Sequence, residues 1–429
     1  MAAVSLSWPT DLASGLVYRD RLHQCLPHVV RFSGGRSSAL MLLELANAGV
    51  LRPDRGDIVL FANTTAEHPG TYEFARSVCE EVESDFGVPC FWYEGCTVET
   101  ATRFGYTRVR TFKLVKRVPA DDSDDPSQPG YRWRGEAFEE MASWSRLPSR
   151  WRRMCTTELK VQPGHDLISE WLWGGPGPAR QGHYRDVSLA TATDVAERYR
   201  GALGRETREA RLQMACGEPW ARPQQNWQDF TTVQLNRPVS GPRGSADIWG
   251  RYGDVQKFVS LLGLRADEPK RVQTAMWRAF LAEGAGSTGC RDRIQPAGEV
   301  VYCPLSDGGI TEEAVQLFWA AQKYDLRIPD GAGNCVYCFL KGPAALARLA
   351  ATADGGDEVQ DTPVDIRWWA RLEDDYGRPS TNGFRQTIGM FHDTDYRAIM
   401  HRASDMDLPR MNTRKTDSDD MGVPCSCTD

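Results

Sequence analysis

The segment RFSGGRSSALMLL, residues 31–43, constrains the fold most strongly, because it joins an apolar run to a dense apolar helix through two glycines. A strand, a tight glycine turn and a helix N-terminus bring several backbone N–H groups to one point, where the helix dipole adds positive potential. Gly34 and Gly35 let the backbone approach a ligand closely, and Ser37 or Ser38 can cap the helix or bind a phosphate oxygen. The pattern predicts a phosphate-binding turn, with an ordinary serine-capped turn as the alternative.

Strand-like and helix-like runs alternate around this turn. Residues 29–32, 57–62 and 88–93 have the composition of buried strands, and residues 71–84 have a helical pattern. A later helix is expected to begin after Thr311, which has the side chain of an N-cap residue. The alternation predicts an α/β fold with a mostly parallel sheet, helices on both of its faces, and ligands at the carboxyl ends of its strands.

The later part of the chain is less regular. Residues 118–135 combine an acidic run with proline and glycine, which predicts a mobile loop. We expect one α/β domain in two parts, residues 26–173 and 252–330, interrupted by an irregular insertion over residues 174–251. Residues 331–429 are expected to form a C-terminal segment that is helical and bears cysteines.

Composition excludes some classes of protein. The 429 residues carry 51 basic and 58 acidic side chains, a net charge of −7, so no overall attraction to nucleic acid is expected. No apolar run reaches about 18 residues, and residues 1–25 lack the basic start and apolar core of a secretory signal. We therefore expect a cytoplasmic protein with no membrane partner. Its twelve cysteines are expected to serve as buried thiols, metal ligands or redox groups rather than in disulfides.

The turn SGGRSS, residues 33–38, resembles the pyrophosphate loop of the ATP pyrophosphatase, or PP-loop, superfamily, whose usual form is Ser-Gly-Gly-x-Asp-Ser. Members include adenylylsulfate and phosphoadenylylsulfate reductases, a sulfate adenylyltransferase subunit, tRNA-thiolating enzymes and the ATPase of DNA phosphorothioation. The resemblance implies an adenine nucleotide alpha hydrolase-like fold that binds ATP and Mg²⁺, although Ser37 stands where Asp is usual. The nucleotide-binding residues that it implies here are Phe32, Ser33, Gly34, Gly35, Arg36 and Ser38.

A second segment, FANTTAEHPGTYEF at residues 61–74, looks like the Asn/Asp-Thr-Gly…Pro-Glu-Thr segment that surrounds the adenosine in this superfamily. The resemblance implies nucleotide contacts from Asn63 and Thr64. Thr65 replaces the usual Gly, and Gly70 replaces the usual Glu. The alternative is an ordinary polar loop between a strand and a helix.

Two further segments carry basic side chains. RMCTTELKVQPG is similar to the Cys-Cys-x-x-x-Lys-Val-x-Pro-Leu segment of adenylylsulfate reductases, which implies a catalytic role for Lys160. GLRADEPKR resembles the Gly-Ile-Arg-x-x-Glu…Arg segment of reductases and adenylyltransferases. Arg265 and Arg271 suit paired contacts with phosphate or sulfate, and Glu268 could orient one of them or hold Mg²⁺. A solvated charged helix start is the alternative for this segment.

The cysteines suggest a metal centre. Residues 303–342 look like the Pro-Leu…Trp…Pro…Gly-Cys-x-x-Cys end of the reductase domain, and a Cys-x-x-Cys pair has the spacing at which two thiolates converge on one metal. Adenylylsulfate reductases hold a 4Fe–4S cluster with Cys-Cys plus Cys-x-x-Cys, but Met154 takes the place of one cysteine here. A 4Fe–4S cluster is the expectation, with Zn²⁺ or metal-free buried thiols as alternatives. The five candidate ligands are Cys155, Cys335, Cys338, Cys425 and Cys427.

A basic stretch precedes the first candidate cysteine. In SRLPSRWRRM, Arg146, Arg150, Arg152 and Arg153 surround Trp151. Arginines beside an aromatic ring could hold a nucleic-acid backbone and stack a base. They could equally hold an extra phosphate of a nucleotide, or form a solvated helix face.

Three functions remain open. In the first and favoured one, ATP is cleaved at the α-phosphate, which adenylates an acceptor oxygen and releases pyrophosphate, and a sulfur or nitrogen nucleophile then displaces AMP. A nucleotide or nucleic acid is the candidate acceptor, and a donor protein is the candidate source of sulfur. In the second, a tail cysteine thiolate attacks the sulfur of adenylylsulfate or phosphoadenylylsulfate and displaces the nucleotide, in a reaction whose eventual product is sulfite. In the third, the loss of the usual Asp leaves a non-catalytic nucleotide- or nucleic-acid-binding module. The catalytic residues expected for the first are Ser37, Lys160, Arg265 and Glu268.

Overall fold

The computed structural model describes the chain in several ranges. They are residues 16–102, 105–120, 130–150, 152–173, 227–236, 258–284, 299–352, 361–379, 387–391 and 393–405. Trp151, most of the expected insertion over residues 174–251, and the tail with Cys425 and Cys427 lie outside the described residues.

The strands of the described residues form one large sheet and two small ones. They are β1 (His28–Phe32), β2 (Ile58–Asn63), β3 (Cys90–Thr102), β4 (Gly105–Leu114), β5 (Lys116–Pro119), β6 (Gly130–Tyr131), β7 (Phe258–Leu262), β8 (Glu299–Tyr302), β9 (Arg378–Pro379) and β10 (Thr387–Ile388). The large sheet has six strands in the order β4-β3-β2-β1-β7-β8. All of its neighbouring strands pair in parallel except β3 and β4, which are antiparallel. The expected α/β class with a mostly parallel sheet is therefore confirmed.

Helices lie between most of these strands and dominate the C-terminal part. They are α1 (Arg36–Asn47), α2 (Pro69–Phe86), α3 (Glu136–Ser145), α4 (Gln162–Trp173), α5 (Trp227–Asn236), α6 (Pro269–Gly284), α7 (Pro304–Asp307), α8 (Glu312–Ala320), α9 (Pro343–Thr352), α10 (Ile366–Tyr376) and α11 (Tyr396–Ser404). A π-helical turn, Thr156–Val161, leads directly into α4. Thr311 is the N-cap residue of α8, as predicted, although its side chain makes no capping hydrogen bond. Within the described residues, every helix is too short or too polar to traverse a lipid bilayer.

Apolar side chains cover both faces of the large sheet. Successive strand residues point to opposite faces, so Val30 and Val29 enter different cores. Val30 and Phe61 belong to the core that includes α1 and α2. Val29 and Leu60 belong to the core that includes side chains of α4 and α5. Helices therefore cover both faces of the sheet, as expected.

Two predicted segments differ in the structure. The third strand, predicted over residues 88–93, runs from Cys90 to Thr102 because it continues as a hairpin with β4. The segment predicted as a mobile loop, residues 118–135, instead contains strand residues near both ends, where β5 and β6 pair in parallel. Gly130 makes this possible, since a Cβ there would lie 2.6 Å from the Val118 carbonyl oxygen.

The C-terminal helices form a core of their own. Helix α3 joins α9, α10 and α11 in this core, so the segment after residue 331 contains the predicted helices in its described part, together with the short strands β9 and β10. The core also encloses three of the candidate metal ligands. Its buried members include Phe138, Leu346, Trp368, Trp369, Tyr396, Cys155, Cys335 and Cys338.

A buried ionic group lies between the sheet and α4. Arg31 on β1 donates to Ser260 Oγ at 3.2 Å and to Glu299 Oε1 at 3.3 Å, and His165 Nε2 lies 3.6 Å from Glu299 Oε2. Burial would raise the pKa of Glu299, but His165 and Arg31 lower it to about 2. Because burial also lowers the pKa of His165, the imidazole is neutral near pH 7, and Arg31 is the cation that keeps Glu299 ionised.

We predict that Glu299→Gln lowers the free energy of unfolding at neutral pH by about 3 kcal/mol, because Arg31 then loses its buried counterion. A pKa lowered from 4.5 to about 2 stabilises the fold fully above pH 4.5, and this contribution disappears as the pH falls through 2. Urea unfolding should therefore show the difference between parent and variant shrinking below pH 4.5. The exposed Glu313→Gln is the control, and a difference independent of pH would contradict the prediction.

Candidate functional site

The direction of the strand order changes between β1 and β7. The chain passes from β1 to β2 on one side of the sheet and from β7 to β8 on the other. In open α/β sheets, the crevice at such a point, outside the carboxyl ends of the strands, is the usual ligand site. The loops after β1 and β7 meet there, since a Cβ added to Gly263 would lie 2.6 Å from Ser38 Cα. The fold thus brings the predicted turn, residues 33–38, against the predicted basic segment, residues 263–271.

Gly34 is required by conformation and by space. Its φ is 79°, in the left-handed region that favours glycine. A Cβ at this position would lie 2.7 Å from Thr71 Cγ2 and 2.8 Å from Phe61 Cε2. The glycine therefore lets the turn pack on β2 and the first turn of α2, a role that the sequence pattern does not indicate.

The serines hold the turn rather than cap the helix. Helix α1 begins at Arg36 with Gly35 as its N-cap residue, so the expected capping by Ser37 or Ser38 is wrong, because the N-cap position has no side chain. Ser38 Oγ instead accepts from the N–H of Ser33 at 3.2 Å and donates to the Gly35 carbonyl at 3.0 Å. Ser33 Oγ and Ser38 Oγ are 2.8 Å apart.

Several backbone N–H groups remain available at this turn. Among the described residues, no acceptor is found for the N–H groups of Gly34, Arg36 and Ser37. The first N–H groups of a helix lack partners within the helix, and together with the helix dipole they favour an anion. The geometry of the turn therefore suits phosphate.

Two predicted loop residues direct their side chains elsewhere. Arg36 forms a forked pair with Asp325, with Nε–Oδ1 2.7 Å and Nη2–Oδ2 2.8 Å, and also donates to the Leu326 carbonyl at 2.9 Å. Phe32 is buried against Phe61. What Phe32 and Arg36 can offer a ligand is therefore their backbone.

The basic segment reaches the turn through Arg265. Its Nη1 donates to Ser37 Oγ at 3.2 Å, and its Nη2 donates to Glu312 Oε2 at 3.3 Å. Glu268 is buried, lies 3.7 Å from Arg265 Nη2 and accepts a hydrogen bond from Arg271. Of the two roles predicted for Glu268, this contact with both arginines favours orientation over Mg²⁺ binding.

The predicted adenosine segment is internally hydrogen-bonded. Asn63 donates to Glu94 Oε1 at 2.9 Å and accepts from the Thr65 N–H at 2.7 Å. Thr64 donates through Oγ1 to Glu67 Oε1 at 2.6 Å and through its N–H to Glu67 Oε2 at 3.1 Å. Sequence analysis did not predict the roles of Glu67 and Glu94 as hydrogen-bond acceptors. The one indication was that each is an acidic residue close to the end of a predicted strand.

Thr65 has a backbone conformation that favours glycine. Its φ is 64°, a left-handed conformation that costs a β-branched residue strain. Its hydroxyl, however, accepts from the Ala137 N–H at 3.0 Å and from the Phe138 N–H at 3.4 Å, at the start of α3. Because Gly135, the N-cap residue of α3, has no side chain, Thr65 caps that helix from another part of the chain.

Lys160 lies in the π-helical turn before α4. Its Nζ is 3.9 Å from Glu67 Oε1, and its carbonyl accepts from the Tyr93 hydroxyl at 2.6 Å. Burial raises the pKa of the Glu67 carboxyl, and the Lys160 ammonium opposes that shift. The structure thus places Lys160 beside Glu67, in the loop that follows β2.

Three candidate metal ligands share one core. The thiols of Cys155, Cys335 and Cys338 are buried, and with burial and Glu373 they raise the pKa of the Tyr396 hydroxyl, which places all of them near that group. Among the described side chains, however, no group of three or more His, Cys, Asp or Glu has the arrangement of a metal site.

The predicted arginine patch follows α3, which ends at Ser145. A helix face is therefore the wrong interpretation for its described part, because Arg146 has a φ of 116° and Ser149 pairs with Arg152 in an isolated bridge. Arg153 donates to Thr156 Oγ1 at 3.3 Å. The patch thus lies on an irregular segment that leads to the π-helical turn.

Comparison with known proteins leaves the family open. No protein-family model matches the chain, and no solved structure matches it. Part of the chain is similar to the uncharacterized nin region protein ORF290 of Escherichia phage lambda, with 27% identity over 156 residues. The aligned part covers 33% of this chain and 42% of that protein.

We predict that Gly263→Ala destabilises the protein by about 1–3 kcal/mol, because its Cβ would overlap the backbone of Ser38 and force the two loops apart. Urea or thermal unfolding measures the effect. Gly333→Ala is the matched control, since the nearest atom to its Cβ would be the flexible end of Lys341, 3.5 Å away. Equal stability of both variants would show that the two loops do not need this close approach.

Proposed function

We propose that the protein is an ATP pyrophosphatase-type enzyme of the PP-loop superfamily, with an adenine nucleotide alpha hydrolase-like fold. The observation that carries the proposal concerns the backbone N–H groups of Gly34, Arg36 and Ser37. Among the described residues none of them has a hydrogen-bond acceptor, and they lie where the direction of the strand order changes. An adenosine nucleotide would lie with its phosphates at the N-terminus of α1 and its adenosine near Asn63 and Thr64 at the end of β2.

The reaction proposed is attack by an acceptor oxygen on the α-phosphorus of ATP. The bond from that phosphorus to the bridging oxygen breaks, and pyrophosphate leaves with the electron pair. Negative charge then develops on the leaving phosphate, where fixed N–H groups and guanidinium groups stabilise it best. Arg265 and Arg271 supply the guanidinium groups, and Glu268 keeps them oriented.

Ser37 has a positioning role in this proposal. Its hydroxyl accepts from Arg265, so it links the basic segment to the turn where the superfamily usually has a carboxylate. Glu268 is committed to two arginines and does not fit Mg²⁺ well. Mg²⁺ usually binds through substrate phosphates and one or two carboxylates, so we propose that it arrives with ATP.

A sulfur nucleophile would then attack the adenylated acceptor, form a bond from sulfur to the acceptor and displace AMP, which leaves with the acceptor oxygen. We propose a nucleotide or nucleic acid as the acceptor, held by the arginines at residues 146–153, and a donor protein as the sulfur source. Lys160, near Glu67, would contact the acceptor side of the nucleotide. Reduction of adenylylsulfate and simple nucleotide binding remain as outcomes of the test below.

We predict that Arg265→Lys lowers pyrophosphate release from ATP by roughly tenfold or more, because an ammonium group cannot reproduce a forked contact. Arg367→Lys is the matched control, since Arg367 on α10 pairs with Asp365, the N-cap residue of that helix, and its side chain is half exposed. Pyrophosphate is measured with Mg²⁺ and candidate acceptors.

Other results would redirect the proposal. Sulfite from adenylylsulfate without pyrophosphate from ATP would establish the reductase. Tight binding of ATP with neither product would establish a non-catalytic module. Equal activity of the Arg265→Lys variant and the parent would remove the basic segment from the site.

We also propose that the thiols of Cys155, Cys335 and Cys338 hold a metal centre, with a fourth ligand from Cys425 or Cys427 in the tail. Support comes from their shared core around Tyr396, since thiolates select iron–sulfur clusters or Zn²⁺. The described residues alone do not complete such a site. An iron–sulfur cluster is favoured by the resemblance to reductases, with Zn²⁺ as the alternative.

Deleting residues 424–429 should lower both the metal content and the melting temperature, because metal binding couples to folding. Iron, zinc and sulfide analysis of anaerobically purified protein measures the first, and calorimetry measures the second. Cys335→Ser should have the same effect, whereas Cys25→Ser, outside that core, should not. Full metal content in the truncated protein would exclude the tail cysteines as ligands.

A further inference from the structure

Asn334, immediately before the Cys-x-x-Cys pair, contacts the turn at residues 33–38 directly. Its Nδ2 donates to the Ser33 carbonyl at 2.6 Å. A Cβ on Gly35 would lie 3.4 Å from Asn334 Nδ2 and 3.6 Å from its Oδ1, so the amide group rests against the turn. Neither the composition nor the motifs of the sequence indicate this contact.

The bond to Ser33 determines the direction of the next N–H group. The C=O and N–H of a trans peptide point in opposite directions, so fixing the Ser33 carbonyl toward Asn334 turns the Gly34 N–H away from it. That N–H is one of those without a described acceptor at the turn. Glycine is the residue whose backbone rotates most freely, so the peptide between Ser33 and Gly34 needs such a restraint.

The same residue is tied to the end of β2. The Asn334 carbonyl accepts from the His68 N–H at 2.7 Å, and Cys335 forms an isolated antiparallel bridge with Glu67. Glu67 in turn holds Thr64. One short segment therefore connects the turn after β1, the loop after β2 and the core that contains the thiols.

We infer that Asn334 is a positioning residue that holds the Gly34 N–H in its anion-binding direction. Because Asn334 directly precedes Cys335, we infer also that a structural change at Cys335 alters the affinity of the turn for phosphate. The inference rests on the proposed nucleotide site and adds to it a residue and a connection. It requires no movement larger than rotation of one peptide group. A change at Cys335 reaches the turn through the adjacent backbone of Asn334.

Two substitutions separate positioning from packing. Asn334→Ala removes the donor, and Asn334→Asp keeps the shape but replaces the donor with a carboxylate beside the bound phosphates. Calorimetric titration with α,β-methylene ATP should show roughly tenfold weaker binding for Asn334→Ala and weaker binding still for Asn334→Asp. In the protein without nucleotide, where no phosphate repels the carboxylate, a packing role would leave amide exchange of the isosteric Asp variant closest to that of the parent. Asn47→Ala, exposed at the other end of α1, is the control and should bind like the parent.

Coupling to the thiol segment is tested by a double-mutant cycle. Cys335→Ser should weaken binding of the same analogue in the parent and cause little further loss in the Asn334→Ala background. Additive losses would overturn the connection between the two sites. Cys25→Ser supplies the control for a cysteine outside the thiol core.

Amide hydrogen exchange of the ligand-free protein keeps the inference testable without nucleotide. Residues 33–39 should exchange faster in both Asn334 variants and at the parent rate in Asn47→Ala. If the parent does not bind the analogue, the proposed function fails, and exchange alone decides whether Asn334 holds the turn. Unchanged exchange, or faster exchange with unchanged affinity where the parent binds, would overturn the role of Asn334.

Discussion

The close approach of Gly263 to Ser38 is the constraint on which the crevice depends. A side chain at residue 263 would overlap the backbone at the start of α1, so the loop after β7 can lie against the turn after β1 only with glycine there. This contact places Arg265 within hydrogen-bonding distance of Ser37 and keeps the N-terminus of α1 at the reversal of the strand order. Parallel pairing of β1 with β7 also contributes, because it brings the loops that follow these two strands to the same edge of the sheet.

The two edges of the crevice differ in how their polar groups are satisfied. At the end of β2, Thr64 donates twice to Glu67 and Asn63 accepts from the Thr65 N–H, which makes that edge rigid before any ligand binds. At the turn after β1, N–H groups at the start of α1 lack described acceptors. One edge of the crevice is therefore rigid, and the other has N–H groups that can donate to a ligand. This arrangement suits a ligand that accepts most of its hydrogen bonds through a charged group such as phosphate.

Local features could be predicted from the sequence, and long-range ones could not. The first two strands, the glycine turn and the start of α8 follow from apolar periodicity and helix-end chemistry, which depend on neighbouring residues. Thr65 shows the limit of such reasoning, because its strained φ is stabilised by capping α3, some seventy residues later in the chain. The contacts of Asn334 with Ser33 and of Lys160 with Glu67 likewise depend on tertiary packing.

The acidic partners of Arg265 differ in how much they are exposed to solvent. Arg265 lies close to Asp267, Glu268 and Glu312, so its charge is balanced by neighbouring carboxylates. The Glu312 side chain is 60% exposed, whereas that of Glu268 is 4% exposed. Exposed ion pairs contribute little free energy, so phosphate could displace Glu312 at small cost while buried Glu268 continues to orient the guanidinium. A surplus of positive charge would then matter less for anion affinity. The affinity would depend mainly on the exposure of Glu312, the partner of Arg265 that an anion can displace.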